Sequence, residues 1–264
     1  MKSIITLTTD FGTRDGFVAQ MKGVILGINS DALIIDTTHD IEPFAPLEAA
    51  LVLNGFYRSF PSSSIHVVVV DPGVGSARRA IAVKSQEQFF VGPDNGVFSF
   101  IYSNDASCEI RQVENPDFVA FCPHPTFHGR DIFAPLAAHL SQGVRFNEIG
   151  GMISDPERFD LPPVIKMERG IEGKVIHIDR FGNLSVNIHT EMLQRPVSEI
   201  ILGSLQIRGL SRTFNEVPDY EPVALINSFG LLEIAINKAS AADSLGMGVG
   251  ARVRVTWKDE TGSL

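Results

Sequence analysis

Four consecutive valines, Val67 to Val70, run straight into Asp71, Pro72, Gly73 and Gly75, and Arg78 and Arg79 come at once after them. A run this apolar cannot keep either face in water. It predicts a strand buried on both sides, as in a sheet covered by helices. The Pro and Gly residues then turn the chain sharply. Open α/β sheets place ligand-handling groups at the carboxyl ends of such strands, so Asp71 and Arg78 are candidate site residues. The competing reading is an Asp that caps its own turn and an Arg that pairs with it on the surface.

The surrounding pattern repeats this arrangement. Ile4 to Thr8, Leu33 to Asp36 and Ile65 to Val70 read as strands, and Ala80 to Lys84 and Gln88 to Val91 as two more. Between or after them, Gly16 to Ile28, Pro46 to Phe60 and Phe133 to Leu140 carry helical periodicity, the first with Phe17, Met21, Val24, Ile25 and Ile28 on one face. Strands alternating with helices predict a mostly parallel sheet with helices on both faces. The pattern changes near residue 150, where Gly150 to Pro163 is rich in Gly, Asp and Pro. Beyond it lie short alternating segments from Gly173 to Trp257 separated by turn residues, which predict an all-β barrel or sandwich. The expected division is an α/β domain over residues 1–153, a linker over 154–170 and a β-barrel domain over 171–264.

Bulk properties exclude several classes. A formal charge of −9 without a dense Lys/Arg block argues against nucleic acid as the partner. No apolar run approaches the roughly 18 residues of a membrane span, and the first residues read as a strand rather than a signal peptide, so a cytoplasmic location is expected. Cys108 and Cys122 belong to no CxxC pattern, so neither a zinc site nor a redox dithiol is expected. Walker A, GxGxxG and GxSxG signatures are all missing from the sequence.

Five further segments hold residues able to do chemistry. In TTDFGTRDGF, Asp15 reads as a helix N-cap, while Asp10 has no such local duty and is free to hold ligand hydroxyls. In DTTHD, no metal-ligand spacing occurs, and His39 reads as a loop histidine bonded to a neighbouring acid. In PTFHGRDIFAP, His128 sits beside Arg130 and Asp131 and, with Asp71 and Arg78, completes a set suited to orienting a water. In HIDRFGNLSVNIH, Asn183 suits a nucleobase edge or a tight hairpin turn. In INSFGLLEIAINKAS, Asn227 and Ser228 mark a turn, and Glu233 reads as the solvent side of an alternating strand.

Together these stretches resemble the S-adenosyl-L-methionine hydroxide adenosyltransferases, relatives of the bacterial fluorinases and chlorinases. The resemblance rests on TTDFGTRDGFVAQMKG, IIDTTHDIEPF, VVVVDPGVGSARR, VGPDNGVFS, PTFHGRDIFAPLAAHL, IDRFGNLSVNIH and INSFGLLEIAINKAS, in the family's order and across nearly the whole chain. It implies an α/β domain followed by a β-barrel, in a homotrimer whose ligand lies between the first domain of one subunit and the second of the next. It also implies hydrolysis of S-adenosyl-L-methionine to adenosine and L-methionine, with no cofactor and no metal.

In that family an Asp, an Arg and a His hold the attacking water, positions that Asp71, Arg78 and His128 match. Asp10 matches the carboxylate on the ribose hydroxyls and Phe44 an aromatic against the substrate. Asp179 and Ser228 match contacts to the methionine amine and carboxylate, and Asn183 matches the adenine contact. Near Asn237 and Lys238 the family reads adenine through backbone groups. Where relatives follow that Ser with Arg, this chain has Phe229, so its grip on the carboxylate must differ. Halogenating relatives replace the Asp, Arg and His and insert a loop after the strand that here ends near Lys84; the Ser85 to Gln88 connection has no room for it. A halogenase and a non-catalytic sensor of S-adenosyl-L-methionine or adenosine are the competing functions.

Overall fold

The valine run lies at the middle of a six-stranded sheet, in the first of two units into which the chain divides, Met1–Phe159 and Asp160–Leu264. The computed structural model describes residues 3–258. Strand β1 (Ile4–Thr9) leads into helix α1 (Phe17–Ile28), β2 (Leu33–Thr38), α2 (Pro46–Phe56), β3 (Ile65–Val69), β4 (Ala80–Ser85) and β5 (Gln88–Pro93). Helix α3 (Ser99–Asn104), β6 (Glu109–Gln112) and α4 (Ala134–Ser141) complete the set. The strand order is β2-β1-β3-β5-β4-β6. The first four pair in parallel, and β4 and β6 join antiparallel.

The valines explain the two layers. Val67 and Val69 pack with α1 and α4 through Met21, Ile25, Leu136 and Leu140. Val68 and Val70 pack on the opposite face with α2 and α3 through Ala50, Leu53, Ile101 and Tyr102. His66 is fully buried in the same strand. Its ring lies among Phe56, Tyr57, Phe60 and Phe90, with Nδ1 2.9 Å from Thr6 Oγ1. Burial pushes its pKa down to about 4.

Some local expectations are corrected. Helix α1 starts at Phe17 with Gly16 at the cap and no side-chain capping bond, so Asp15 does not cap it. Helix α2 stops at Phe56 and passes into a 3₁₀ turn, Tyr57–Ser59. Strands β4 and β5 are joined by Gln86 and Glu87, with φ of 47° and 64°. Two successive left-handed residues give the hairpin turn that matches strand twist. At the outer edge, Gly151 O accepts from Gln112 N–H (2.9 Å) and Ile153 N–H donates to Ile110 O (3.0 Å), so residues 151–153 cover β6. Arg79 then binds the carboxylates of buried Asp94 (2.7 Å) and Asp155 (2.8 Å).

The second unit is antiparallel throughout. It comprises β7 (Ile165–Met167), β8 (Gly170–Ile178), β9 (Leu184–His189), β10 (Val197–Leu202) and β11 (Leu205–Arg208). To these it adds β12 (Pro222–Ile226), β13 (Leu231–Ile236), the short helix α5 (Ala241–Leu245) and β14 (Arg252–Trp257). The order is β11-β10-β14-β8-β9-β13-β12, with β7 on β8. Ser211 N–H, just past β11, donates to Ala224 O of β12 (2.8 Å), which nearly closes the sheet into a barrel. Its core is built of Val175, Leu184, Val186, Ile188, Ile200, Ile234, Val253 and Val255.

Candidate active site

Asp71 emerges just beyond β3, and the turn behind it is wound by Val74 N–H on Asp71 O (3.2 Å) and Ser76 N–H on Gly73 O (3.1 Å). That winding returns Arg78 onto Asp71. Arg78 Nε lies 3.0 and 3.1 Å from the two carboxylate oxygens, and Nη2 also donates to Oδ2. Only 10% of the Arg78 side chain and 5% of Asp71 are exposed, which corrects the surface-pair reading. The guanidinium carbon sits 5.3 Å from the Phe133 ring centre.

Arg78 Nη2 also lies 2.7 Å from His128 Nδ1. A guanidinium can only donate. His128 Nδ1 must therefore be bare, and the neutral ring carries its proton on Nε2. Burial, and after it the Arg78 cation, lowers the His128 pKa. The structure thus brings Asp71, Arg78 and His128 into one line, with Nε2–H as the ring's remaining polar atom.

The residues on either side of His128 fix its place. Gly129–Phe133 forms a π-helical turn ahead of α4, a feature common at functional sites because the inserted residue redirects a side chain. Asp131, 6% exposed, accepts from Arg130 Nε (2.6 Å), Arg130 Nη2 (2.9 Å) and His124 N–H (2.8 Å). This pins the loop that leads to His128. The same loop touches the Asp71 turn at Gly75, where φ is +76° and a Cβ would stand 2.5 Å from Pro125 O. Gly75→Ala is expected to cost about 1–3 kcal/mol of stability. It should also lower turnover at least about tenfold by pushing the two halves of the line apart. Initial rates and a thermal melt check this; wild-type turnover would show that the close approach is dispensable.

Asp10 and Phe44 also come together. Thr9 is paired with Val69 in parallel register, so Asp10 and Asp71 leave the sheet at the same carboxyl edge. Phe44 N–H donates to Asp10 Oδ2 (3.0 Å). The Phe44 side chain is 74% exposed, and its φ of +64° is unusual for a bulky residue.

In the second unit, Asp179 and Asn183 share the β8–β9 turn. Asp179 Oδ1 accepts from Phe181 and Asn183 N–H, both at 2.9 Å, and Oδ2 accepts from Asn183 Nδ2 (2.9 Å). Asn183 and Lys238 line a pocket of 590 Å³ together with Phe181, Phe214, Asn237 and Ser240. Lys238 Nζ itself pairs with Asp219 (2.9 Å). Phe214 was not foreseen; its only sequence signal is an aromatic stranded in a polar loop. Asp179 and Ser228 are not among the residues lining this pocket.

Ser228 lies exposed on the β12–β13 turn, which Asn227 organises. Asn227 Oδ1 accepts from Phe229 and Leu231 N–H (3.0 and 3.1 Å), and Nδ2 donates to Ser185 Oγ (3.2 Å) and Glu233 Oε2 (3.1 Å). Glu233 is therefore not on the solvent side. It is 6% exposed, and burial raises its pKa, with Asp179 adding to the rise. His39 sits 3.1 Å from Asp36, as a loop histidine beside an acid. Among the described residues no group of His, Cys, Asp and Glu is arranged to hold a metal, and no helix is long and apolar enough to cross a membrane.

Fold and site together define a two-domain class, an α/β unit with polar groups gathered at one sheet edge and a pocketed antiparallel barrel. Residues 5–150 match the family model of the SAM hydroxide adenosyltransferase N-terminal domain, and residues 173–254 that of the C-terminal domain. The chain belongs to the SAM hydroxide adenosyltransferase family. It is 36% identical over 262 residues to the (R)-S-adenosyl-L-methionine hydrolase of Salinispora arenicola, covering 96% of this chain and 97% of that protein. It is 36% identical to the protein of that name from Thermus thermophilus, covering 94% and 97%. A fluorinase of Actinopolyspora mzabensis is 29% identical, covering 97% of each. Among solved structures, an uncharacterized conserved protein from Thermotoga maritima superposes with a TM-score of 0.89 at 35% identity, covering 96% of this chain and 99% of that one.

Proposed function

We propose that this protein is an enzyme that splits S-adenosyl-L-methionine, in the (R) form named for its relatives, into adenosine and L-methionine. Water attacks C5′ of the ribose, the C5′–sulfur bond breaks, the thioether leaves neutral, and one proton is released. The leaving group needs no acid. The protein must supply an aligned water with little competing solvent. The observation that carries this reading is the buried line from Asp71 through Arg78 to His128. Arg78 and the His128 Nε2–H hold the attacking oxygen as donors, while Asp71 fixes the guanidinium and is the anion of the set. Attack cancels the sulfonium charge, and a low-dielectric site amplifies that gain.

Asp10 takes the ribose hydroxyls and Phe44 packs on the substrate. Asn183 and the backbone near Lys238 hold adenine, with Asp179 and Ser228 at the methionine end. The working unit is a homotrimer in which one subunit supplies the α/β residues and the next supplies the barrel residues. No cofactor takes part. Water rather than halide fits both the retained Asp, Arg and His and the two-residue turn between β4 and β5.

The test is incubation with S-adenosyl-L-methionine in ¹⁸O-water, with and without chloride, followed by mass spectrometry. Adenosine labelled at the 5′ oxygen, at a rate indifferent to chloride, is the expected result. A 5′-chloro product would move the protein to the halogenases. Bound, uncleaved substrate would make it a sensor.

A further inference from the structure

The DTTHD segment is not used by the chemistry of water attack, yet its histidine is 7% exposed and lies behind the two loops that carry Asp10 and Phe44. Those loops extend from β1 and β2. They are bolted together at four points: Gly12 N–H on His39 O (2.8 Å), Ile41 N–H on Thr9 O (3.4 Å), Phe44 N–H on Asp10 Oδ2 (3.0 Å) and Thr9 Oγ1 on His39 Nδ1 (2.9 Å). One of the four runs through the His39 side chain and another through its backbone carbonyl. Thr9 Oγ1 also accepts from Phe11 N–H (3.2 Å). His39 Nε2 lies 3.1 Å from Asp36 Oδ1, and Asp36 Oδ2 takes Lys22 Nζ of helix α1 at 2.5 Å. A chain of polar contacts thus runs from α1 through Asp36, His39 and Thr9 to the turn that presents Asp10.

We propose that His39 is a positioning residue that sets Asp10 and Phe44 in register for the ribose of the substrate. The inference rests on the reading of Asp10 as the ribose-binding carboxylate and deepens it. Phe44 is held in a left-handed conformation by the Asp10 carboxylate, and such strain persists only where the surroundings over-determine it. His39 provides that restraint from behind. It touches no substrate atom and acts through Thr9 and the two turns.

The experiment compares equilibrium binding of adenosine and 2′-deoxyadenosine to the full chain, so that no catalytic step is needed. Wild type is expected to favour adenosine by about tenfold or more, as for a hydrogen bond to a charged group. His39→Ala should shrink this preference below about threefold, and Thr9→Val, which removes one hydroxyl, should shrink it in the same direction. His39→Asn, whose side-chain oxygen can still take the Thr9 hydroxyl, should keep most of it. In turnover, KM should rise at least about fivefold in His39→Ala while kcat moves less. Variants that keep the wild-type preference, or that weaken both nucleosides equally, overturn the inference. If His39→Ala does not fold, Thr9→Val decides. A wild-type protein that binds adenosine without any preference overturns the ribose reading of Asp10 and this inference with it.

Discussion

Arg78→Met is expected to lower turnover of S-adenosyl-L-methionine by about 10²–10³-fold, the usual loss when one preorganised donor to the reacting atom is removed. The same change also acts on stability. Asp71 is nearly sealed from solvent and takes its hydrogen bonds from Arg78. A buried carboxylate stripped of its partner costs about 3–5 kcal/mol, a large share of the roughly 5–15 kcal/mol that holds a domain together. Asp71→Asn combined with Arg78→Met removes the stranded charge, so the double variant should recover stability while staying slow. That split, read by denaturant titration beside initial rates, separates damage to the site from damage to the fold. Arg78→Lys should fail as well, because a single ammonium cannot span Asp71 and His128 together. Turnover within about threefold of wild type in Arg78→Met, under about 0.7 kcal/mol, would remove the residue from the mechanism.

The second large effect concerns acid. His66 is held at a pKa of about 4 in the folded chain against 6.5 for the free side chain. A base with a depressed folded pKa contributes full stability above pH 6.5. That stability is lost as pH falls toward 4, because the unfolded chain takes up the proton first. At about 1.4 kcal/mol per unit the loss is about 3 kcal/mol. His128 and His139, also lowered, act in the same direction. Glu233, whose pKa is raised, acts oppositely and gains stability as it protonates. The lowered carboxylates of Asp36, Asp105, Asp131 and Asp155 titrate below their ordinary 3.8 and stay largely out of this window. His66→Phe keeps a ring among Phe56, Phe60 and Phe90 and should flatten the stability curve between pH 6.5 and 4. An unchanged slope would assign the acid sensitivity elsewhere.

Much of the first unit was legible because its strands are doubly buried. Val67 to Val70 has no polar face to confuse the period, and the groups beyond it, Asp71 and Arg78, meet as the turn chemistry suggests. Strand direction was not legible. Ala80 to Lys84 and Gln88 to Val91 read alike as strands, and only the left-handed pair Gln86 and Glu87 makes them antiparallel. Asp15 failed as a cap because the helix begins one residue beyond Gly16. Glu233 misled for a different reason. Leu232 and Ile234 beside it are both buried, so alternation carries no information there. What makes its burial tolerable is an amide from Asn227, six residues away and across a turn. The step from Arg78 to His128 spans 50 residues, and no local pattern announces it; the residue types suggested the set, and the resemblance to a family gave the same three positions.

The covering of β6 bears on how the chain is made. Residues 151–153 pair along the outer strand, and Asp155 ties to Arg79, whose other partner, Asp94, lies at the end of β5. A ribosome delivers residues in order at about 5–20 per second. Until residue 155 has emerged, the nascent sheet carries a bare edge, the feature that invites pairing with other chains. The β6 edge of the first unit is therefore covered only as synthesis leaves that unit, and a pause just before this stretch would leave that edge open to pairing.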